Sequence, residues 1–395
     1  MRRTELLQGL RMLKLRDVMS RWEAAELSQL EAAELLGMHE RTFRRWARRF
    51  EAEGEMGLAD RRLGRRSGRA VADETADEIE RLYLERYQGF TAKHFHEYLR
   101  ATHGYSLGYT WTKGLLQSRG LIPKAPRRGA HRRKRPRRPL VGMMLHQDGS
   151  RHAWLAGLAP LDLIVTLDDA TSEIYSAFLV AEEGTMSTFQ GLIETIAAKG
   201  LFCSFYTDRG SHYFLTPEAG GKVAKNQPTQ VGRALAQLGI EHIAAYSPEA
   251  RGRSERMFRT LQDRLPKDLA LAGIDDDLAG ANRFIREVYL PRHNARFATA
   301  PAEVGSGFVP VIEAQWRDLL CVQDERTVAP DNTVAWQGRR LQIPPHPARA
   351  HFVRAKVRVH EYPDGALAIF HGPRCLVRWT ADQRQVNPSD LRSAA

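Results

Sequence analysis

The chain changes character at Leu140, and that break constrains its fold more than any single motif. Residues 1–140 carry 31 Lys and Arg against 18 Asp and Glu, and the rest of the 395-residue chain carries 28 against 29. All of the formal excess of +12 therefore sits in the first third. Before the break, apolar residues recur at helical spacing; after it they come in the short runs that strands use. A basic helical front and a near-neutral α/β back predict separate modules, the first of which grips a polyanion.

Residues 15–58 are predicted to form a helix-turn-helix. In Leu27–Leu36 the apolar positions Leu27, Leu30, Ala33 and Leu36 fall at three-residue intervals. Ser28 followed by Glu31 has the pattern of a capping box, and Gly37 can end the helix in a left-handed conformation. A second helix is predicted from Glu40 to Phe50, with Phe43, Trp46, Ala47 and Phe50 on its apolar face. Its other face carries Arg41, Thr42, Arg44, Arg45, Arg48 and Arg49. A second helix loaded with Arg suits the DNA major groove, where a guanidinium meets paired acceptors on guanine. Arg41, Thr42, Arg44, Arg45 and Arg48 are the candidate DNA contacts here. An ordinary solvated helix hairpin is the alternative.

Residues 59–72 are read as a basic linker of Arg, Gly and Ser. Residues 73–123 hold three helical patterns, read as a second helical DNA-binding domain or, equally, as a structural spacer. Their last helix is predicted to expose Tyr109, Thr110, Thr112 and Lys113 and to bury Leu107, Trp111, Leu115 and Leu116. Residues 124–139 form a second basic linker; 124–138 hold nine Lys or Arg and no acid, and such a run seeks phosphate. Arg132, Arg133, Lys134 and Arg135 are its candidate DNA contacts. From 140 to 305, apolar runs in succession and then alternating helix and strand predict an α/β layer with a mixed sheet. Residues 320–382 hold about five short strands with turns at Asp331-Asn332, Gln337-Gly338 and Pro363-Asp364-Gly365, which predict a small closed all-β barrel with Trp336 and Trp379 in its core.

The three cysteines, Cys203, Cys321 and Cys375, are far apart and lack companion His spacing, which argues against a zinc site and fits a reducing cytosol. No run approaches 18 apolar residues, and the start lacks an unbroken apolar stretch, so neither a membrane span nor a secretory signal is predicted. The expected partner is DNA rather than a membrane or a small-molecule substrate. The expected location is the bacterial cytoplasm, at the nucleoid.

Among 47 acidic residues, position selects three. Phosphodiester chemistry by two divalent ions sets them about 3.5–4 Å apart and needs several carboxylates converging on them. Asp148 follows the apolar run Gly142–Leu145 on the predicted first strand, where a buried acid requires a partner. Asp208 ends LFCSFYTD, where a strand opens into Arg-Gly-Ser. Glu255 lies in YSPEARGRSERMFRTLQDRL, a segment that also carries Arg253, Arg256 and Arg259. Arg253 and Arg256 are its candidate phosphate contacts. Asp168 and Asp169 are rivals, read instead as a strand-end turn or a cap for Thr171. His146 and His152 are read as neighbours rather than ligands, because Mg²⁺ prefers oxygen. His212 either lies near the scissile phosphate or decorates a loop, and Glu249 is read as solvated.

HQDGS, FYTDRGSHYF and YSPEARGRSERMFRTLQDRL together resemble the three signature segments of the DDE transposase and retroviral integrase superfamily. The nearest resemblance is to the bacterial insertion-sequence transposases called the ISNCY family. It is close over roughly 140–303, and PRHNARFATAP (291–301) resembles the segment that follows the Glu helix, with Asn294 and Arg296 in place. The resemblance implies an RNase H-like core in which Asp148, Asp208 and Glu255 ligate two Mg²⁺ (or Mn²⁺) ions per site, Asp148 bridging both. It implies a DNA transposase that binds terminal inverted repeats, cleaves at the element end, and joins the freed 3′-OH to target DNA as a homo-oligomer. Asp208 and Glu255 are separated by 46 residues, more than integrases carry, and the surplus at 215–230 is read as an inserted loop. The zinc module of integrases is absent. Two other classes remain open: a DNA-binding regulator with an inactive core, and a nuclease that cuts without joining.

Overall fold

A computed structural model describes residues 3–59, 70–124, 136–218, 221–224, 226–246, 252–311, 316–345 and 349–386. The chain divides into two compact units, Met1–Ile79 and Glu80–Ala395.

The first unit is helical: α1 (Arg3–Glu23), α2 (Gln29–Leu35) and α3 (Glu40–Glu53), closed by a 3₁₀ turn at Gly54–Leu58. Its core joins Leu15, Val18 and Met19 of α1 to Ala32 and Ala33 of α2, Phe43 and Ala47 of α3, and Leu58. The capping box forms as predicted: Ser28 Oγ accepts from the Glu31 amide at 3.3 Å, and the Glu31 carboxylate accepts from the Ser28 amide at 2.8 Å. Gly37 takes φ 63°, which lets the Met38 amide turn back to the Ala33 carbonyl at 3.0 Å. On α3, Arg41, Arg44, Arg45 and Arg48 are exposed and Thr42 is half-buried, opposite the buried Phe43 and Ala47. Arg49 turns back instead; its guanidinium lies 4.5 Å over the Trp46 ring and donates to the Ala59 carbonyl at 3.2 Å.

After α4 (Asp73–Arg86), which crosses into the second unit, come α5 (Ala92–Ala101) and α6 (Tyr109–Ser118). Thr112 was expected outside and is buried. Its hydroxyl meets His96 Nδ1 at 3.1 Å and donates to the Gly108 carbonyl at 3.4 Å, so a short polar side chain satisfied within the module takes the inner position. Leu107, Trp111 and Leu115, expected inside, are half-buried.

The central layer is a five-stranded mixed sheet of β1 (Leu145–His152), β2 (Leu161–Asp168), β3 (Ile174–Val180), β4 (Ser204–Thr207) and β5 (Glu241–Ala244), ordered β3-β2-β1-β4-β5. β1, β2 and β3 pair antiparallel; β4 and β5 continue parallel to β1. β2 is buried along its whole length, which its LDLIVTLD sequence requires. One face packs α7 (Thr185–Lys199) and α8 (Gln230–Gln237) through Leu145, Phe189, Leu192, Phe205 and Leu235. The other packs α9 (Gly252–Leu271), α10 (Leu278–Phe284) and α11 (Leu290–Phe297) through Leu163, Val165, Phe258, Leu261 and Leu265. The outer edge of β3 is closed by two amides. Asn294 accepts from the Ile174 amide and donates to its carbonyl at 2.9 and 2.8 Å, and Asn282 does the same to Leu179 at 2.7 and 3.0 Å.

α5 is fastened to this core. Arg264 of α9 makes a two-pronged contact with Glu97 of α5 at 2.8 and 3.0 Å, Arg296 of α11 reaches the same carboxylate at 2.6 Å, and Tyr98 donates to Asp268 at 2.9 Å.

The last strands are β6 (Val322–Thr327), β7 (Thr333–Trp336), β8 (Arg339–Gln342), β9 (Lys356–Glu361), β10 (Leu367–His371), β11 (Arg374–Trp379) and β12 (Gln385–Val386). The turn at Gln337-Gly338, with φ 44° and 75°, joins the β7–β8 hairpin as the sequence predicts, and Gly365 with φ 82° turns β9 into β10. The closed barrel is not found. Five strands form an open antiparallel sheet ordered β12-β11-β10-β9-β6, with β7–β8 apart. Alternation along each strand specifies which face is buried, and the sheet satisfies that by covering one face with the hairpin: Val334, Trp336 and Leu341 join Val357, Ile369 and Val377 in one core. Trp336 is buried there.

Candidate active site

β1 and β4 pair in parallel with Leu145 opposite Phe205 and His146 opposite Tyr206. Carried on by two residues, that register sets Asp148 beside Asp208, which follows the last residue of β4. Adjacent strands run about 4.8 Å apart, so the two carboxylates leave neighbouring backbones. Asp148 is 7% exposed and Asp208 is half-buried. Asp208 Oδ1 accepts from the Gly210 amide at 2.8 Å, which bends the chain into the Arg-Gly-Ser loop.

Side chains alternate along β1. Gln147 faces α7, donating to Thr166 Oγ1 at 2.9 Å and accepting from the Tyr213 hydroxyl at 3.0 Å. His146 and Ser150 face α9, and Asp148 shares their parity. Tyr213, fully buried, also reaches Glu183 Oε1 at 3.4 Å, and His212 Nε2 lies 3.6 Å from that same oxygen. Burial pushes the Tyr213 phenol well above its ordinary value, and the negative charge of Glu183, Asp148 and Asp208 adds to the rise. One phenol thus senses three carboxylates. Gly149 makes room for the third, since a Cβ there would stand 2.2 Å from Glu183 Oε2.

Glu255 lies in the first turn of α9 and is exposed. Two contacts fix the helix along β1. At its start Arg253 pairs with Asp169, whose Oδ1 also meets His146 Nε2 at 2.7 Å; further on, Gln262 donates to Ser150 Oγ at 3.0 Å. From Arg253 to Gln262 the helix rises about 13 Å, and β1 covers about 13 Å from His146 to Ser150, so α9 and β1 run side by side in the same sense. Glu255 lies between these tethers on the helix, as Asp148 does on the strand. It shares its flank with Gln262, about two turns on. Among the described residues no three His, Cys, Asp or Glu side chains are gathered closely enough to enclose an ion. The register carried on from β1 and β4 sets Asp148 level with Asp208, and Glu255 opens the helix that runs beside β1. The donors are all hard oxygens, the chemistry Mg²⁺ takes.

The other predicted positions fall as follows. Asp168 is a cap, as read: Oδ2 accepts from the Thr171 amide and hydroxyl at 2.8 and 3.0 Å. Asp169 is more than a turn residue. It is fully buried and accepts from the Arg138 amide at 2.7 Å as well as from His146 and Arg253. Burial alone would raise its pKa; the bonds from the His146 ring, the Arg138 amide and Arg253 outweigh that and hold the carboxyl well below the usual carboxylate range. Arg253, expected on phosphate, is committed in this structure to that internal ion pair, whereas Arg256 is exposed. His146 is an internal partner rather than a surface group. Arg132, Arg133, Lys134, Arg135 and Glu249 lie outside the described residues. Glu183, Gln147 and Tyr213 are not singled out by the sequence; their only traces are Gln147 inside HQDGS and Tyr213 inside FYTDRGSHYF.

A protein of Sinorhizobium fredii (strain NBRC 101917 / NGR234) named "Putative transposase y4bF" is 32% identical over 359 residues, covering 89% of this chain and 77% of that one. The chain belongs to the transposase/integrase superfamily. A second member, the transposase for insertion sequence IS1202 of Streptococcus pneumoniae, is 27% identical over 297 residues, covering 66% of this chain and 63% of its own length. Residues 22–76 match the family described as "Winged helix-turn helix", which takes in α2 and α3. Two solved structures are similar at low superposition. A chain of the simian T-cell lymphotropic virus intasome in complex with PP2A regulatory subunit B56 gamma is 17% identical with TM-score 0.33, over 75% of this chain and all of that one. The HTLV-2 integrase catalytic core domain in complex with magnesium is 17% identical with TM-score 0.28, over 38% and 89%. Membership of the superfamily rests on the sequence relatives. No helix among the described residues is long and apolar enough to cross a membrane.

Proposed function

We propose that this chain is the DNA transposase of an insertion sequence, with Asp148, Asp208 and Glu255 as the carboxylates of an RNase H-like active site. The observation that supports the reading is the parallel β1–β4 register, which, carried on by two residues, sets Asp148 of β1 level with Asp208 just past the end of β4, while Glu255 opens the helix that runs along β1. These three side chains would hold two Mg²⁺ or Mn²⁺ ions. Bound ions supply an activated attacking oxygen and a clamp on the scissile phosphate.

The rest is the work of the chain. The exposed arginines of α3, with Thr42, read terminal inverted repeats from the major groove, and the helical segment 73–123 and the basic run 124–139 extend the grip along phosphates. Arg256, exposed one residue beyond Glu255, steers the phosphodiester toward the aspartates. Water first cleaves a strand at the element end and frees a 3′-OH. That 3′-OH then attacks a target phosphodiester in line, with one P–O bond made and one broken, so neither ATP nor a covalent enzyme intermediate is required. Paired ends call for at least two copies of the chain on DNA.

The test uses DNA carrying inverted repeats from beside the reading frame. Asp148→Asn, Asp208→Asn and Glu255→Gln should each abolish Mg²⁺-dependent nicking and joining while end binding stays within about twofold. A variant that still joins pre-cleaved ends removes its residue from the site, and nicking without joining by the wild-type chain makes it a nuclease.

A further inference from the structure

We propose that Asp169 is the positioning residue for Glu255, tethering the start of α9 to the strand that carries Asp148. The inference rests on the reading of Glu255 as a catalytic carboxylate, and it adds a group that no motif of the superfamily resemblance marked.

Asp169 joins three segments that are distant in sequence. Its carboxylate meets His146, two residues before Asp148 on β1. It accepts from the Arg138 amide, where the chain leaves the basic run and enters the core. It pairs with Arg253, two residues before Glu255. Its backbone is engaged as well: the amide donates to the Met144 carbonyl at 3.0 Å, and the carbonyl accepts from Arg137 at 3.0 Å and from Arg253 at 3.4 Å. Arg137 also donates to the Ala170 carbonyl and to Ser172 Oγ, at 3.1 and 2.8 Å.

A wholly buried carboxylate is retained at a cost in solvation, which the bonds from His146, the Arg138 amide and Arg253 help offset. The arrangement fixes what the local sequence leaves open. α9 begins at Gly252, and Gly and Ser at positions 252 and 254 give its first turn little helical preference of its own. Glu255 lies in that turn, so its height along β1 follows from where Arg253 is held. Asp169 holds Arg253 and His146 at once, and so couples the helix carrying one proposed ligand to the strand carrying another. Partners that orient ligands in this way commonly matter nearly as much as the ligands.

The Arg253 side chain is still 18% exposed, so a direct phosphate contact is the competing account. Full-length Arg253→Gln, Arg253→Lys and Asp169→Asn separate the two, with Glu255→Gln as the reference. In the DNA-free, metal-free protein, Arg253→Gln and Asp169→Asn should speed amide exchange in residues 252–258 by about tenfold or more and leave α7 unchanged. The Mg²⁺ concentration for half-maximal nicking should rise roughly 10–100-fold. DNA end affinity should stay within about twofold, with an unchanged salt slope. Arg253→Lys, which keeps the charge, should fall between wild type and Arg253→Gln. Unchanged exchange in 252–258 overturns the proposal. So does a loss carried by DNA affinity with a shallower salt slope, since that makes Arg253 a phosphate contact. If Asp169→Asn fails to fold, the Arg253 pair alone decides. Nicking retained by Glu255→Gln would defeat the parent reading instead, and the exchange measurement would still report on the tether.

Discussion

Removing Glu97 tests how the helical segment is fastened to the sheet. Glu97 takes both prongs of Arg264 and one nitrogen of Arg296, and the side chains are 23%, 11% and 34% exposed respectively. Breaking a fully buried pair costs about 3–5 kcal/mol, because one charge is left without a partner. The cluster borders a cleft of about 380 Å³, so water reaches the orphaned Arg264 and the cost falls toward the lower end. The Arg296 contact is more exposed and adds about 0.5 kcal/mol. Glu97→Ala should therefore destabilise the second unit by about 3–4 kcal/mol, and Glu97→Gln, which keeps one acceptor, by roughly half as much. Urea denaturation followed by tryptophan fluorescence measures the loss, and amide exchange assigns it to α5 and α9. The decisive number is the coupling in a cycle of Glu97→Ala, Arg264→Ala and the double variant, expected at about 1.5–2 kcal/mol. A coupling below about 0.5 kcal/mol would refute the reasoning, because the two-pronged pair would then contribute no more than a solvated one.

Three further outcomes are expected. Gly149→Ala should displace the Glu183 carboxylate from Tyr213 and cost about 1 kcal/mol, and the same change in a Glu183→Ala background should cost almost nothing by thermal melting, since the obstacle is gone. His360 is buried and its pKa is pushed down to about 3 by burial, so folding is favoured by its neutral form above the unfolded value near 6.5 and that advantage is lost as pH falls from there toward 3. Going from pH 7 to pH 5 should remove about 2 kcal/mol through this residue, and His360→Phe, which keeps the stack on Phe370, should flatten the urea-derived pH profile by that amount. Arg44→Ala and Arg48→Ala on α3 should each weaken binding to the element ends about tenfold or more, by fluorescence anisotropy, with the penalty largest at one base position for a residue that reads a base and uniform across sequences for one that touches phosphate.

The helical front was legible because its determinants are local. Ser28, Glu31 and Gly37 act within one turn of the ends they cap, and the alternation of Arg with Phe43, Trp46 and Ala47 on α3 specifies its faces without reference to the rest of the fold. The strands were legible for the same reason, through apolar runs and the turns at Gln337-Gly338 and Gly365. Closure was not. Whether five antiparallel strands close on themselves depends on the pairing of the first with the last, here β6 with β12, and nothing in either strand's own sequence encodes that. Thr112 failed for a related reason. Its hydroxyl reads as a surface group until His96, sixteen residues earlier, supplies the partner that lets it be buried.

The same distinction separates the three proposed catalytic carboxylates. Asp148 follows an apolar run on β1 and Asp208 ends the one on β4, and the parallel register carried on by two residues sets them level; local sequence and one pairing suffice for that reading. Glu255 has no such support, because it opens a helix whose start is fixed from another part of the chain. The residue that fixes it, Asp169, follows β2 and reads from sequence as half of an ordinary Asp-Asp turn. The first of that pair is such a turn residue: Asp168 spends its carboxylate on Thr171 and the Gly142 amide. The second, equally buried, lies in the turn just past β2 and meets His146, the Arg138 amide and Arg253. Two identical side chains one residue apart therefore differ in their partners: Asp168 caps Thr171 and holds the Gly142 amide, while Asp169 takes His146, the Arg138 amide and Arg253, and only the folded chain shows which is which.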